Sequence, residues 1–165
     1  MSILHQTLLA IAAALPAAIL TSCNESGADS EASNIIAMER TALDRWGRGD
    51  PQGVLDLYTK DITYFDPIHD KRVDGLEAMK GLYSAFAGKI KIQHYDMIDP
   101  KVQRAGEIAV LTYNLVDDVV QLPTGPTSMK VPWNVTAVYA RVEGEWKVVH
   151  AHYSYVKGKL NAEGR

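Results

Sequence analysis

Two histidines lie two residues apart near the end of the sequence, within residues 146–154. Strict alternation along a strand would project the imidazoles of His150 and His152 from one face, about 7 Å apart along the chain. Imidazole is easily poised near neutral pH, so this pair could relay a proton or supply two ligands of a metal ion. Trp146 would share their face as a ligand contact. The alternative is that one histidine packs in a pocket wall while the other supports a dimer face.

A second polar pair, His94 and Asp96, interrupts a run of isoleucines that alternate along residues 90–98. Such a pair is either part of a pocket or two polar groups that satisfy each other by hydrogen bonding. A zinc ion bound by His150 and His152 would need a third ligand, for which His94, Asp96 and Asp66 are the plausible candidates. They do not complete a recognisable ligand motif, so no metal site is predicted.

Tyr64 and Asp66 are predicted to share a face near the end of a short strand. A tyrosine can donate to a developing oxyanion, and a carboxylate in an apolar mouth can act as a base with a raised pKa. The alternative for Asp66 is that it caps the turn that Pro67 begins. The adjacent carboxylates of Asp117 and Asp118 should face opposite sides of a strand and therefore cannot form a dyad.

Large aromatic side chains are available to line a pocket for an apolar ligand, although aromatic residues at strand spacing also build cores; the candidates are Trp46, Tyr113, Trp133 and Trp146. The sequence has no phosphate-binding loop, nucleophile elbow or cysteine nucleophile. The polar residues that converge from otherwise apolar strands favour acid–base work without a cofactor, such as isomerisation or dehydration of an apolar carbonyl compound, as the chemistry of such a pocket.

The composition fits one globular domain. Hydrophobic residues make up 47% of the 165 residues, which is enough for one sizeable core. The chain has 17 basic and 20 acidic residues, and three of the acids, Glu25, Asp29 and Glu31, precede residue 34, before any basic residue. The remainder is electrically balanced and has no basic stripe, so a nucleic-acid partner is not expected.

The N-terminus reads as a targeting segment. Residues 8–20 form an apolar run of signal-peptide length, and the following LTSC at residues 20–23 resembles a bacterial lipobox. That resemblance implies cleavage before Cys23, lipidation of its thiol, and a membrane association through the lipid alone, on the periplasmic side of the bacterial cell envelope. Residues 1–7 have no lysine or arginine, so the alternatives are a secretory signal without lipid and a buried N-terminal helix.

The rest of the chain divides into a tether, a domain and a tail. Residues 23–33 comprise the cysteine and a polar, acidic segment predicted to be flexible, and residues 158–165 form a polar tail. Within the domain, residues 34–157, the periodicity predicts three helices and then a meander of long antiparallel strands, which is an α+β fold. The predicted helices are 34–48, 51–60 and 76–87; the predicted strands are 62–65, 72–73, 90–98, 108–122, 129–142 and 146–156, with turns at 99–100 and 123–126.

Three motifs carry a resemblance to a known superfamily: TYFDP at residues 63–67, RVDG at 72–75 and WKVVHAHYS at 146–154. Together with the element order, they resemble the nuclear transport factor 2-like superfamily. Within it, the chain is similar to the SnoaL-like proteins and to the association domain of calcium/calmodulin-dependent kinase. The resemblance implies a ketosteroid isomerase-like cone, in which a curved antiparallel sheet wraps around three N-terminal helices. It also implies a pocket between helices and sheet, and a homodimer.

Two functions are compatible with this pattern. The first is a secreted or lipid-anchored domain that binds a small apolar molecule, with catalysis by His150, His152, His94, Asp66 and Tyr64 and with Asp96 among the ligand contacts. The second is a non-catalytic oligomerisation or ligand-binding module, whose interface would be the other face of the last strand, including Val149, Ala151, Tyr153 and Tyr155.

Overall fold

The computed structural model describes residues 23–121 and 128–157. The predicted signal peptide, the predicted turn at 123–126 and the polar tail lie outside these residues. Three helices and six strands follow one another along the described chain: α1 (Cys23–Gly47), α2 (Gln52–Leu55), β1 (Tyr58–Phe65), β2 (Val73–Asp74), α3 (Leu76–Ser84), β3 (Ile90–Ala105), β4 (Ile108–Gln121), β5 (Ser128–Val142) and β6 (Glu145–Tyr155). No helix in the described part of the chain combines the length and hydropathy that crossing a bilayer requires.

The six strands form one curved, unclosed sheet in the order β2-β1-β6-β5-β4-β3. Strands β3 to β6 are a meander of antiparallel hairpins, as predicted, but β1 runs parallel to β6. The sheet is therefore mixed rather than antiparallel throughout. The parallel pair is possible because the rest of the domain separates β1 from β6, so no tight turn has to join them.

Helix α1 begins eleven residues before the predicted start at Asn34, so residues 23–33 are helical rather than a free tether. Glu31 explains part of this difference, because its carboxylate forms ion pairs with Arg104 on β3 and Arg141 on β5. These pairs attach the early part of α1 to β3 and β5 of the sheet. Local composition does not reveal them, because the two arginines lie far along the chain.

Two other element boundaries differ from their predicted positions for local reasons. Helix α2 ends at Leu55, because the backbone carbonyl of Leu57 already accepts a 2.7 Å hydrogen bond from the amide of Val148 on β6. The predicted turn at Asp99 is instead an irregularity within β3, where the register to β4 shifts and Asp99 adopts a φ of 48°. Both sides of this bulge remain paired with β4, so the strand continues to Ala105.

A second bulge changes which residues of β6 face inward. His150 pairs with Val138 and Val148 pairs with Tyr139, so Val149 has no partner on β5. Trp146 and Val148 are buried before the bulge, and Ala151 is buried after it. The alternation is therefore out of phase by one residue beyond Val149.

The helices pack against the concave face of the sheet and close a core there. Its fully buried members come from α1, from α3 and from four strands, and the largest are Tyr139, Ile35, Ile62, Met79, Leu111, Leu115 and Val148. The predicted α+β cone is confirmed. The helices and the sheet also enclose a cavity.

Candidate functional site

The cavity has a volume of about 520 Å³ and lies between α1, α3 and the concave face of the sheet. Its wall is mostly apolar and aromatic, and Ile68, Met129 and Tyr155 lie exposed at its mouth. Four predicted site residues line it, namely Trp46, Tyr64, Asp66 and Trp133. A mostly apolar concavity with a few polar groups is the usual form of a small-molecule site.

Asp117 is the carboxylate that faces the cavity from β4. Its Oδ2 accepts a 3.1 Å hydrogen bond from Nε1 of Trp133. Burial raises the pKa of Asp117 to about 7, although the bond from Trp133 acts in the opposite direction. A carboxyl group with this pKa can both take up and release a proton near neutral pH.

The prediction that Asp117 and Asp118 are not a dyad agrees with their register, since they pair with Tyr95 and His94 of β3 and so point to opposite faces. Sequence reasoning nevertheless missed Asp117 as a site residue by considering it only as half of a pair. A signal was present, because Asp117 alternates with Leu115 and Val119 on one face. A single carboxylate in an apolar face needs a partner or a function.

Tyrosine hydroxyls form a second polar region of the cavity. Tyr64 of β1 and Tyr83 of α3 both line the cavity, and the hydroxyl of Tyr83 lies 3.2 Å from that of Tyr58. Burial raises the pKa of Tyr83 to about 12, while the hydrogen bond with Tyr58 lowers it. Burial also raises the pKa of Tyr64 well above its usual range. These phenols are therefore neutral hydrogen-bond donors near pH 7.

Sequence reasoning also missed Tyr83, which helical spacing places among the apolar residues of α3. Its ring packs against Trp46 at 4.9 Å and edge-on against Tyr64 at 6.5 Å, so it behaves as a core residue. Its hydroxyl becomes a candidate only because Tyr58 and Tyr64 converge on it from β1. That convergence depends on the tertiary structure, because it brings residues of β1 next to a residue of α3.

Asp66 lies at the cavity, but its Oδ1 is already engaged. This atom accepts hydrogen bonds from the backbone amides of Ile68 and His69, at 3.0 and 2.9 Å, and contacts Nδ1 of His69 at 2.8 Å. The structure therefore supports the turn-capping role that the sequence left open as an alternative. We do not retain Asp66 as a base.

His150 and His152 lie on the convex face of the sheet, outside the cavity. Nδ1 of His150 lies 2.8 Å from Oγ1 of Thr63, and the ring of Phe65 contacts both imidazoles with centroid separations of 6.1 and 5.7 Å. Partial burial lowers the pKa of His150, assisted by His152 and Arg72. The predicted placement of this pair in the cavity is wrong because the bulge at Val149 reverses the alternation.

The other predicted polar pair also faces outward. A register shift between Ile92 and His94 turns His94 and Asp96 to the convex face, where they are exposed and contact each other at 3.1 Å. They neither line the cavity nor share a site with the other histidines. Within residues 23–121 and 128–157, no three histidine, cysteine, aspartate or glutamate side chains come together as a metal site.

Two of the aromatic residues predicted to contact a ligand, Trp146 and Tyr113, lie outside the cavity. Trp146 is buried away from the cavity, where the guanidinium groups of Arg141 and Arg104 lie 4.7 and 5.7 Å from its ring centre. Tyr113 lies behind the cavity wall, and its hydroxyl donates a 2.7 Å hydrogen bond to Glu39. Neither residue lines the cavity.

The fold and the cavity define a protein class, an α+β cone with a pocket between its helices and its sheet. The family model for the calcium/calmodulin-dependent protein kinase II association domain matches residues 31–157. The chain therefore belongs to this family, within the nuclear transport factor 2-like superfamily. No curated protein matches the chain.

Solved structures agree with this assignment. A candidate ketosteroid isomerase from Parabacteroides distasonis is 36% identical over 75% of this chain and 86% of its own, with a TM-score of 0.63. A nuclear transport factor 2-like protein from Salmonella enterica is 19% identical over 84% and 99%, with a TM-score of 0.67. The calcium/calmodulin-dependent kinase II hub of S. rosetta is 22% identical over 74% and 94%, with a TM-score of 0.59. The last two show a shared fold.

Proposed function

We propose that the cavity binds a small apolar molecule that carries a carbonyl or hydroxyl oxygen, and that Asp117 acts on it as an acid–base group. The observation that carries this proposal is a carboxyl group with a pKa of about 7 in the wall of an apolar cavity of about 520 Å³. The likeness to a candidate ketosteroid isomerase supports it. Asp117 replaces the convex-face histidines as the proposed catalytic residue.

The proposed chemistry is proton transfer next to a carbonyl group, as in an isomerase or a dehydratase. The ionised Asp117 would remove a proton from the carbon beside the carbonyl, and the electron pair of the broken C–H bond would move onto the carbonyl oxygen. A neutral phenol, Tyr64 or Tyr83, would donate a hydrogen bond to that oxygen and stabilise its developing charge. Return of the proton to another atom completes an isomerisation without a cofactor.

Exchange of solvent deuterium into a simple ketone tests this proposal. 2-Acetylnaphthalene is an apolar probe whose methyl protons lie beside the carbonyl, and their loss in D₂O is measured by proton NMR. We expect wild-type protein to accelerate exchange and Asp117→Asn to abolish the acceleration. The double variant His150→Ala/His152→Ala is the matched control and should exchange like wild type. Equal exchange by wild type and Asp117→Asn would reject the assignment of Asp117.

Oligomerisation is a second proposed function. The match to an association domain and the likeness to a kinase hub support it. The predicted interface requires correction, because Ala151 is 2% exposed and Tyr153 lines the cavity. The convex face around Phe65, His150 and His152 is the better candidate. The ring of Phe65 on β1 is exposed there and lies against both histidines of β6.

Sedimentation velocity of a convex-face variant tests this second function. We expect Phe65→Lys to convert an oligomer of the wild-type chain into monomer. Ile108→Lys, at another exposed apolar position on the sheet, should leave the oligomer intact. A wild-type chain that sediments as a monomer at all concentrations would reject the proposal.

We also propose that the chain is anchored by a lipid on Cys23 at the periplasmic side of the bacterial cell envelope. The lipobox-like LTSC at residues 20–23 supports this proposal. Expression of the full chain in a bacterium with labelled palmitate should label the wild type and leave Cys23→Ser unlabelled and free of the membrane fraction. Equal labelling of both proteins would contradict the anchor.

A further inference from the structure

Asp66 follows β1 at the edge of the cavity, and its side chain is almost entirely buried, with 5% of it exposed. Its Oδ1 accepts hydrogen bonds from the backbone amides of Ile68 and His69, at 3.0 and 2.9 Å. The same oxygen lies 2.8 Å from Nδ1 of His69. An oxygen with two lone pairs and three nitrogen neighbours has no capacity for a further partner.

The second carboxyl oxygen, Oδ2, takes part in no hydrogen bond with the residues that the structure describes. A buried acceptor without a donor is unfavourable and is uncommon in folded proteins. Capping the turn requires only one oxygen, which an asparagine or a serine would also provide. Oδ2 is therefore the part of Asp66 that the turn does not explain, and a ligand in the cavity can supply its missing donor.

Asp66 shares one end of the cavity with two phenols. Tyr64 lies two residues earlier in the chain, and both side chains line the cavity, as alternation at the end of a strand predicts. Tyr83 of α3 packs edge-on against Tyr64 and lines the cavity as well. Burial is the main cause of the raised pKa of both phenols, and the negative charge of Asp66 acts in the same direction. A carboxylate and two neutral phenols thus form one polar region.

This polar region lies apart from the acid–base group. Asp117 is on β4, and β6 and β5 lie between that strand and β1. Three strand spacings amount to roughly 14 Å along the sheet. The rings of Tyr153 on β6 and Trp133 on β5 lie in this interval, with their centroids 6.1 Å apart. A flat apolar ligand can therefore lie against these rings with one polar group at each end.

The chemistry of Oδ2 decides which polar group fits at the Asp66 end. A carboxylate oxygen only accepts hydrogen bonds, so a ligand hydroxyl can donate to it, whereas a carbonyl or ether oxygen would oppose it with lone pairs. An ammonium group would also donate, but it cannot accept a hydrogen bond from a neighbouring phenol. A hydroxyl group does both, since its oxygen can accept from Tyr64 or Tyr83.

We propose that Asp66 is a specificity-determining residue whose Oδ2 binds a hydroxyl group of the ligand, so that the cavity prefers an apolar hydroxyketone to a ketone without a hydroxyl group. The carbonyl group then lies towards Asp117. The inference rests on the proposed function, because it assigns the second polar group of the same ligand. In this role Asp66 accepts a hydrogen bond and takes up no proton.

Three matched ketones test the preference: 2-acetylnaphthalene and its 6-hydroxy and 6-methoxy derivatives. Their affinities are measured by calorimetry at about pH 6, where a phenolic hydroxyl is neutral. We expect wild-type protein to bind the hydroxy derivative about tenfold or more tightly than the methoxy derivative, the effect of one hydrogen bond to a charged group. Equal affinities for these two compounds would overturn this inference alone. Failure of all three compounds to bind would reject the proposed function and this inference with it.

Asp66→Asn and Asp66→Ser separate the hydroxyl contact from the turn. Both variants keep an oxygen that can cap the turn, and the amide NMR signals of Ile68 and His69 verify that the cap persists. In both, the preference for the hydroxy derivative should be lost. Asp117→Asn is the matched control, since it changes the other carboxyl group of the cavity, and it should retain the preference. A preference that persists in both Asp66 variants, or that only Asp117→Asn removes, would overturn the proposal.

Discussion

Nε1 of Trp133 donates a 3.1 Å hydrogen bond to Oδ2 of Asp117 across adjacent strands of the cavity wall. This bond favours the ionised carboxylate, whereas burial favours the neutral acid, and the balance leaves the pKa of Asp117 at about 7. The indole also packs against Tyr155 and Tyr153 at the mouth. One side chain thus shapes the cavity and tunes its acid–base group.

Replacing Trp133 by phenylalanine should raise the pKa of Asp117 above about 7, because the change removes the hydrogen bond that lowers it. The pKa is measured from the side-chain carboxyl signal of carbon-13-labelled protein. Trp46→Phe changes another tryptophan of the cavity that has no hydrogen bond to Asp117, so it should leave the pKa unchanged. A lower pKa in Trp133→Phe would contradict the role given to the indole.

The free energy of unfolding should fall as the pH rises from about 4 to about 7, because of Asp117. In the unfolded chain this carboxyl ionises at its ordinary pKa of about 4, whereas in the folded chain it stays protonated up to about 7. The folded state therefore binds more protons in this window. Its free energy of unfolding falls by up to about 1.4 kcal/mol per pH unit.

Urea denaturation at pH 5 and pH 7 measures this dependence, and Asp117→Asn removes the contribution of the carboxyl group. The loss of stability between the two pH values should be smaller in Asp117→Asn than in wild type. Asp118→Asn, at the neighbouring convex-face position, is the control and should behave like wild type. An identical loss in wild type and Asp117→Asn would show that this group is not protonated in the folded state.

The bulge at Val149 is one extra residue of β6, since Val148 and His150 pair with adjacent residues of β5. Deleting Val149 should remove the bulge without turning over the side chains that follow, because Ala151 would then lie two positions after Val148 on the same inward face. We therefore expect the free energy of unfolding, measured by urea denaturation, to fall by less than the roughly 3 kcal/mol that loss of two buried positions would cost. Val149→Ala, which keeps the bulge, is the control. A loss of about 3 kcal/mol or more in the deletion variant alone would contradict this placement.

Glu31 should hold the first turns of α1 against the sheet. Glu31→Gln removes the charge that pairs with Arg104 and Arg141, and the partly exposed pairs predict a loss of about 1 kcal/mol. Amide hydrogen exchange should accelerate over residues 24–33 and remain unchanged in Leu43 and its neighbours. Asp29→Asn, at an exposed position of the same segment, provides the control. Unchanged exchange in Glu31→Gln would show that the ion pairs do not hold the helix.

Local patterns in the sequence determined much of the architecture. Helical spacing along α3, alternation along β4 and β5, and a Glu143–Gly144 turn with positive φ at both residues are properties of short segments. Each can be recognised without knowing what the segment contacts. For this reason the α+β cone and the long hairpins were predictable, as were Tyr64 and Trp133 as cavity residues.

Only the tertiary structure decided which polar groups share the cavity. Unpaired residues in β3 and β6 reverse the alternation there, and a bulge is defined by the partner strand rather than by the residue itself. His94, His150 and His152 therefore lie on the convex face rather than in the cavity. Asp117 and Tyr83 became site residues because burial and partners from distant segments perturb their pKa. The spacing of residues along one strand describes that strand alone, whereas the site is formed by side chains from several helices and strands.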